Sequence, residues 1–297
     1  MRILITGCNG LLGQRLIHLA PTQAEIMGID LGEEPVALPP ERYQRLDLGA
    51  RKEVEACVRT FVPDWILNAA AYTNVNRAEV ERELCWRANV TGVENLAIAC
   101  RKYHCRLAHV STDYIFDGQH GPYREEDLPH PIGYYGKSKL AAENILHGSE
   151  IPFAVARTMV LYGHARRVKP DFVSWMIDSL RQGRPVRIVT DQFGNTTFAD
   201  ELAEGIWRMV ECEAQGFYHI AGTEIIDRFT FALKIAAVFD LDDRLIAPIT
   251  TAELNQEAPR PMRSGLIVEK ALRELGLELS DAKGGLVKLK QLLSAVD

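Results

Sequence analysis

The opening of the chain restricts its fold more than any other stretch. An apolar run, Arg2-Ile3-Leu4-Ile5-Thr6, leads directly into Gly7-Cys8-Asn9-Gly10-Leu11-Leu12-Gly13, and residues 14–20 then space their apolar side chains as a helix on a sheet does. A short apolar run ending in glycine suits a strand buried on both faces, as in a parallel sheet. Strand, glycine-rich turn and helix in that order form a cradle for a dinucleotide's pyrophosphate. The glycines let the backbone come close, and the helix N-terminus offers amide donors and the positive end of its dipole. A tight strand-to-helix turn also uses glycine for steric reasons alone. The position at the start of the chain, with a second strand soon after, favours the dinucleotide.

That second strand is Glu25-Ile26-Met27-Gly28-Ile29-Asp30. Asp30 falls near where an acidic residue takes the adenosine ribose hydroxyls, although a turn aspartate would occupy the same place. No Arg or Lys stands between Leu31 and Val36 to meet a 2′-phosphate, which favours NADH over NADPH. After the Pro-rich loop at 34–40, residues 43–48 read as a third strand with Asp47 at its carboxyl end, and residues 50–61 as a helix. A fourth strand, residues 64–71, runs into Asn68-Ala69-Ala70-Ala71, small residues that suit a close-lying cofactor and equally a packed helix. Residues 77–103 read as one long helix, 106–111 as a fifth strand ending in Ser111-Thr112-Asp113-Tyr114, and 152–158 as a sixth. Residues 187–189 and 217–220 return to strands, with a helix at 198–213 on the main sheet. Strands alternating with helices, and no hairpin signal, imply an α/β fold with a doubly wound parallel (Rossmann) sheet. Ligands of such sheets sit outside the carboxyl ends of the strands.

With 297 residues, 47% of them hydrophobic and 25% charged, the chain has an ordinary globular composition. Its net charge of −6 argues against nucleic acid as a partner. The six cysteines show neither a CxxC pair nor the His spacing of a zinc site, so free buried thiols and a cytoplasmic location are expected. The apolar start is too short for a signal peptide, and no later run is long enough to span a bilayer. The expectation is a soluble protein with no membrane partner.

One further run carries chemistry: Tyr134-Tyr135-Gly136-Lys137-Ser138-Lys139, opening a stretch rich in Ala, Leu and Glu that reads as helix. In a helix Tyr135 and Lys139 lie one turn apart on one face. A nearby ammonium favours the phenolate and lowers a tyrosine's pKa, which suits a proton donor. Taken alone, the pair fits a surface tyrosine beside a solvated lysine better. The strand order tips the balance, because it sets the pair near the cofactor turn and Thr112.

Gly7-x-x-Gly10-x-x-Gly13, the strand-end Ser111-Thr112 and Tyr135-x-x-x-Lys139 together resemble the extended short-chain dehydrogenase/reductase superfamily. More narrowly, Asn68-Ala69-Ala70-Ala71-Tyr72-Thr73, the run from Ser111 to Gly118, Tyr135-Gly136-Lys137-Ser138-Lys139, Asp191-Gln192-Phe193-Gly194, and Arg260-Pro261 with Ser264-Gly265-Leu266 resemble the dTDP-4-dehydrorhamnose reductases nearly end to end. The resemblance implies NAD(P)H-dependent reduction of the keto group of a nucleotide-linked 4-keto-6-deoxy sugar. Tyr135 would then protonate the substrate oxygen, Lys139 would lower the tyrosine's pKa and hold the nicotinamide ribose, and Thr112 would hydrogen-bond the same oxygen. The cofactor would lie against Gly7, Asn9, Gly10, Leu11, Leu12, Gly13, Asp30, Asp47, Leu48, Asn68, Ala69 and Ala70, together with Tyr135 and Lys139. The sugar nucleotide would meet Tyr72, Thr73, Asp113, Val160 and Arg260.

Tyr114 stands where the superfamily's dehydratases carry a second acid, which favours simple carbonyl reduction over dehydration. An epimerase remains a second possibility. A third is a non-catalytic regulatory subunit resembling that of methionine adenosyltransferase. The chain departs from the reductase pattern on the substrate side: Val160 replaces a tryptophan, Asn195-Thr196-Thr197 stands where Pro-Thr is usual, Asn76 replaces an aspartate, and residues 277–281 lack a tryptophan. Some relatives bridge a dimer through Mg²⁺ with a glutamate after the last turn glycine. Arg15 lies close to that place, so no structural metal is expected, and the chain would be a monomer or a homodimer. The Rossmann domain would comprise residues 1–163 and about 186–220, and a smaller C-terminal substrate domain about 164–185 and 221–297. Arg166, Arg167, Lys169 and Arg263 join Arg260 as candidates for a nucleotide diphosphate.

Overall fold

The computed structural model describes residues 1–296. Six strands lead the chain: β1 (Arg2–Thr6), β2 (Glu25–Asp30), β3 (Tyr43–Arg45), β4 (Trp65–Asn68), β5 (Arg106–Thr112) and β6 (Phe153–Thr158). Smaller strands follow as β7 (Leu161–Tyr162), β8 (Val186–Val189), β9 (Phe193–Gly194) and β10 (Thr197–Phe198), then β11 (Gly216–His219), β12 (Ile226–Asp227) and β13 (Ile246–Ile249). The main sheet runs β11-β6-β5-β4-β1-β2-β3 with every neighbouring pair parallel. Strand order reverses between β1 and β4, so a crevice opens at their carboxyl ends, where doubly wound sheets bind ligands.

Helices cover both faces: α1 (Leu11–His18), α2 (Arg51–Phe61), α3 (Arg82–Trp86), α4 (Gly92–Tyr103), α5 (Tyr134–His147), α6 (Phe172–Arg181) and α7 (Ala199–Glu211). Alternation along β1 shows why both are needed. Ile3 and Ile5 face a core shared with Leu16 of α1 and Trp207 of α7, whereas Leu4 faces a core shared with Val58 of α2 and Leu96 of α4. Each of these side chains is almost fully buried, and burying a Leu or Ile stabilises by about 1.5–3 kcal/mol. A third apolar cluster gathers Tyr162, Met176 of α6 and Ile188 with residues of α8 (Arg228–Val238) and of the C-terminal helix Ala282–Val296. There β8 pairs in parallel with β13 rather than with the main sheet, while residues 216–219 supply the main sheet's seventh strand.

Two elements differ from the sequence expectation. The third strand ends at Arg45 and not at residue 48; the Leu46 N–H donating to Asp30 O at 2.8 Å extends the ladder one bond beyond the register pair Asp30 and Arg45. The helix expected over 77–103 is interrupted: a 3₁₀ turn at Arg77–Glu79, then α3, then a π-helical segment at Arg87–Thr91, then α4. The wide turn carries buried Asn89 inward, where Nδ2 donates to Tyr72 O at 3.1 Å and to Ser138 Oγ at 2.9 Å, and Oδ1 accepts from Tyr72 N–H at 2.8 Å. Helix propensity cannot register that demand, since it comes from α5 and the loop after β4. Among the described residues, no helix is long and apolar enough to cross a membrane.

Candidate active site

At the carboxyl ends of β1 and β4 the backbone approaches itself closely. Gly7 has φ +67°, and a Cβ there would lie 2.7 Å from Ala70 N, so neither the conformation nor the space admits a side chain. Helix α1 starts after Gly10 with no side-chain cap, and Gln14 N–H is the first to bond back, to Gly10 O at 3.0 Å. The amides of Leu11, Leu12 and Gly13 are therefore available at the cleft, a set of donors suited to a pyrophosphate. Beside them, Asp30 accepts the Asn9 N–H and the Gly32 N–H, each at 3.1 Å, which aims its carboxylate across the turn. Pairing of β2 with β3 sets Arg45 opposite Asp30, with its Nε donating to Leu31 O at 3.2 Å. That guanidinium also pairs with Glu33 at 3.4 Å and does not line the cleft. Asp47 is engaged by Arg87 at 2.7 Å and by the Gly49 N–H at 2.8 Å.

Strand β5 delivers Ser111, Thr112 and Asp113 to the other end of the cleft. The Thr112 hydroxyl donates to Asp113 Oδ1 at 3.1 Å and accepts from Tyr114 N–H at 3.2 Å. Burial pushes the Asp113 carboxyl up to about 6, against the pull of Ser264, Arg228 and Thr112. Tyr135 meets Tyr114 edge-on, with ring centroids 5.6 Å apart. Helix α5 comes this close because residue 136 is glycine: a Cβ there would lie 2.1 Å from Tyr114 O. The expectation that Lys139 lowers the Tyr135 pKa is reversed here. Burial, then Asp113 and Tyr114, raise it well above the ordinary tyrosine value, while Thr112 pulls the other way. Tyr135 is therefore a protonated phenol. Lys139, only 2% exposed, is lowered to about 8, chiefly by burial, with Glu143 opposing.

One cleft of about 620 Å³ joins these two ends. From the cofactor set it is lined by Gly7, Gly10, Leu11, Leu12, Gly13, Asp30, Asp47, Leu48, Ala69 and Ala70, and it also reaches Thr73, Thr112, Asp113, Tyr135, Lys139 and Val160. Asn9, Asn68, Tyr72 and Arg260 do not line it. Asn9 acts through its backbone on Asp30, and its side chain ties the 34–36 loop. Asn68 is buried between Thr6 and His109. The Tyr72 hydroxyl donates to Glu81 Oε2 at 2.5 Å. Arg260 lies over the Tyr114 ring at 5.8 Å and donates to Asn76 Oδ1 at 2.6 Å. Val160 adopts φ +45°, a left-handed conformation rare for a β-branched residue, fixed by Thr197 N–H donating to its carbonyl at 3.1 Å.

Sequence reading missed Arg228, the first residue of α8, whose charge acts on both Asp113 and Tyr114. Nothing in its neighbourhood in the chain marks it. Arg166 instead donates to Val36 O, Arg167 pairs with Glu34, and Arg263 lies over Phe193, so none of these three lines the cleft. Arg15 is paired with Asp200 at 2.6 Å, and among the described residues no group of three or more His, Cys, Asp or Glu could hold a metal.

The sequence matches the family model described as "RmlD substrate binding domain" over residues 1–294. It is 31% identical over 306 residues to the dTDP-4-dehydrorhamnose reductase of Aggregatibacter actinomycetemcomitans, covering 97% of this chain and 98% of that protein. It is 30% identical to methionine adenosyltransferase 2 subunit beta of Xenopus laevis, over 93% of this chain and 83% of that one. The fold superposes on the crystal structure of dTDP-4-dehydrorhamnose reductase from Bacillus anthracis in complex with NADP with a TM-score of 0.89 at 31% identity, covering 98% of this chain and 99% of that one. With cleft, sheet order and full-length match in agreement, the chain belongs to the dTDP-4-dehydrorhamnose reductase family of extended short-chain dehydrogenase/reductases.

Proposed function

We propose that the protein is an NAD(P)H-dependent reductase of the 4-keto group of a nucleotide-linked 4-keto-6-deoxy sugar. The observation that carries this reading is one cleft joining an uncapped, glycine-rich helix start to Thr112, Tyr135 and Lys139. The free amides of Leu11, Leu12 and Gly13 would take the pyrophosphate, and Asp30 the adenosine ribose. When bound, the nicotinamide supplies a hydride to the carbonyl carbon. The protein's part is to place the ketone, exclude water and deliver a proton to the oxygen as charge develops there. Tyr135, kept a phenol by burial, gives that proton. Thr112 shares the oxygen site once its hydroxyl turns its one proton from Asp113 to the substrate oxygen, the Tyr114 amide still donating to Thr112 Oγ1. Lys139 keeps a positive charge beneath the site until its own titration. The cofactor is NADH or NADPH, and the similar reductase of Bacillus anthracis, solved in complex with NADP, supports NADPH as much as NADH.

The segment after β6, with the third apolar core, forms the sugar-binding lobe in this reading. Val160, Asn76 and Arg260 stand at its edge, where the chain departs from the family pattern. The test is loss of NADH or NADPH absorbance on adding dTDP-4-dehydrorhamnose, with turnover expected. Tight dinucleotide binding without oxidation by any nucleotide-linked keto sugar would overturn the reductase reading. It would favour a non-catalytic role as a subunit of another enzyme, the Xenopus relative being named as subunit beta of methionine adenosyltransferase 2.

A further inference from the structure

From Lys139 a buried row of side chains runs back through His109, Asn68 and Thr6, three residues that the proposed chemistry does not use. Lys139 Nζ is 2.7 Å from Val110 O and 3.1 Å from His109 Nε2. His109 Nδ1 is 2.9 Å from Asn68 Nδ2, and Asn68 Oδ1 is 2.5 Å from Thr6 Oγ1. None of the four side chains is appreciably exposed. The row crosses β1, β4 and β5 and ends on α5.

A neutral imidazole carries one N–H and one bare nitrogen, so this row has two self-consistent settings. In one, the Thr6 hydroxyl donates to Asn68 Oδ1, Asn68 Nδ2 donates to His109 Nδ1, and Nε2–H donates to an uncharged Lys139 amine. In the other, the Lys139 ammonium donates to Nε2, Nδ1–H donates to Asn68 Oδ1, and the turned amide donates through Nδ2 to Thr6 Oγ1. An ammonium has no lone pair, so it fits only the second setting. The uncharged amine gains one, which only the first setting fills. A mismatched imidazole and amide would oppose two protons or two lone pairs, which burial makes costly. We propose that His109 is a positioning residue for Lys139, its tautomer and the Asn68 amide being locked to the charge on the lysine so that the row switches as one unit. Passing from the first setting to the second takes up one proton, which ends on Nζ, while the imidazole's own proton moves from Nε2 to Nδ1. The importance of this for catalysis rests on reading Lys139 as the lysine that serves Tyr135.

The other groups facing Lys139 are fixed. Glu143, on the same helix, is committed to Arg157 of β6 at 2.8 Å. The Cys85 thiol of α3 donates to Ser138 Oγ at 3.3 Å, and burial raises its pKa. Tyr135, one turn earlier, stays protonated. His109 itself does not charge, since burial and then Lys139 hold it well below the ordinary histidine range. With Lys139 lowered to about 8, the lysine is the group that titrates near neutrality.

The test reads His109 directly. In cofactor-free protein labelled with ¹⁵N-histidine, and with the His109 signals assigned by their loss in His109→Gln, the Nδ1–H tautomer is expected at neutral pH. It should give way to Nε2–H with a midpoint near pH 8. A second arm follows the alkaline limb of turnover. His109→Leu removes the acceptor for the ammonium and should move that limb down by about one pH unit. In His109→Gln the side-chain oxygen can still accept from Nζ, and the limb should stay or rise. One unchanging tautomer across the range, or an alkaline limb that both variants leave in place, would overturn the proposal. The tautomer is read without turnover. A protein that reduces no keto sugar yet switches tautomers would therefore refute the proposed function and sustain this inference.

Discussion

Burial beside Asp113 and Tyr114 keeps Tyr135 a phenol, the form a proton donor requires. On the proposed reading, Tyr135→Phe keeps the ring and its edge contact with Tyr114 and loses only the proton. Turnover is then expected to fall by about 10²–10⁴-fold, the usual contribution of a positioned general acid. Dinucleotide affinity, measured by fluorescence titration, should hardly move. A Phe variant with ordinary turnover would remove Tyr135 from the role. At this scale the sequence was partly legible. Tyr135 and Lys139 announce themselves by helical spacing, and Gly7 by its place after a strand. Asn89, His109 and Arg228 do not, because their partners (Ser138, Lys139 and Asp113) lie far along the chain and are brought near only by packing.

Helix α5 carries both Tyr135 and Lys139, so its seat on the sheet governs the site. A buried ion pair fixes that seat. Arg157 of β6 meets Glu143 of α5 with Nη2 at 2.8 Å and Nε at 3.1 Å, the two side chains being 4% and 2% exposed. Arg157 also donates to Glu125 O at 3.0 Å and lies over the Phe217 ring at 4.6 Å. Removing one partner strands the other charge in a dry site. Glu143→Ala is therefore expected to cost about 3–5 kcal/mol, read as the shift in a urea unfolding curve. The apolar pair Glu143→Leu with Arg157→Met should recover most of that loss, since well-packed hydrophobic residues replace such pairs without penalty. If the double variant is no more stable than Glu143→Ala, the ion pair is not what the single change removed. The order of strands and helices was readable because burial on both faces leaves continuous apolar runs. The break at 87–91 was not, because the only cue there is one asparagine whose reason lies on another element.

At the scale of the whole molecule, three buried groups pull the response to acid in opposite directions. His219 is pushed down to about 3, by burial first and then by Arg157, and His109 is also held well below its ordinary range. Their unfolded value is about 6.5, so below that pH the unfolded chain takes up two protons that the folded protein refuses. Each contributes stability that is present above about pH 6.5 and lost as the pH falls, at about 1.4 kcal/mol per pH unit. Asp113 acts in the opposite sense. Its folded value of about 6 exceeds the ordinary 3.8, so between these values the folded state holds a proton that the unfolded chain lacks. The buried charge of Asp113 therefore costs stability above about pH 6 and nothing at about pH 4. Among these three groups, two protons against one leave a net loss of stability on acidification across this window. Asp113→Asn removes the opposing group while keeping an acceptor for the Thr112 hydroxyl. That variant should be more stable than the parent at about pH 7, by up to about 3 kcal/mol, and should lose the advantage by about pH 4. Urea midpoints for both proteins at the two pH values decide the matter, and a gain of the same size at both values would show that the fold does not raise the Asp113 pKa.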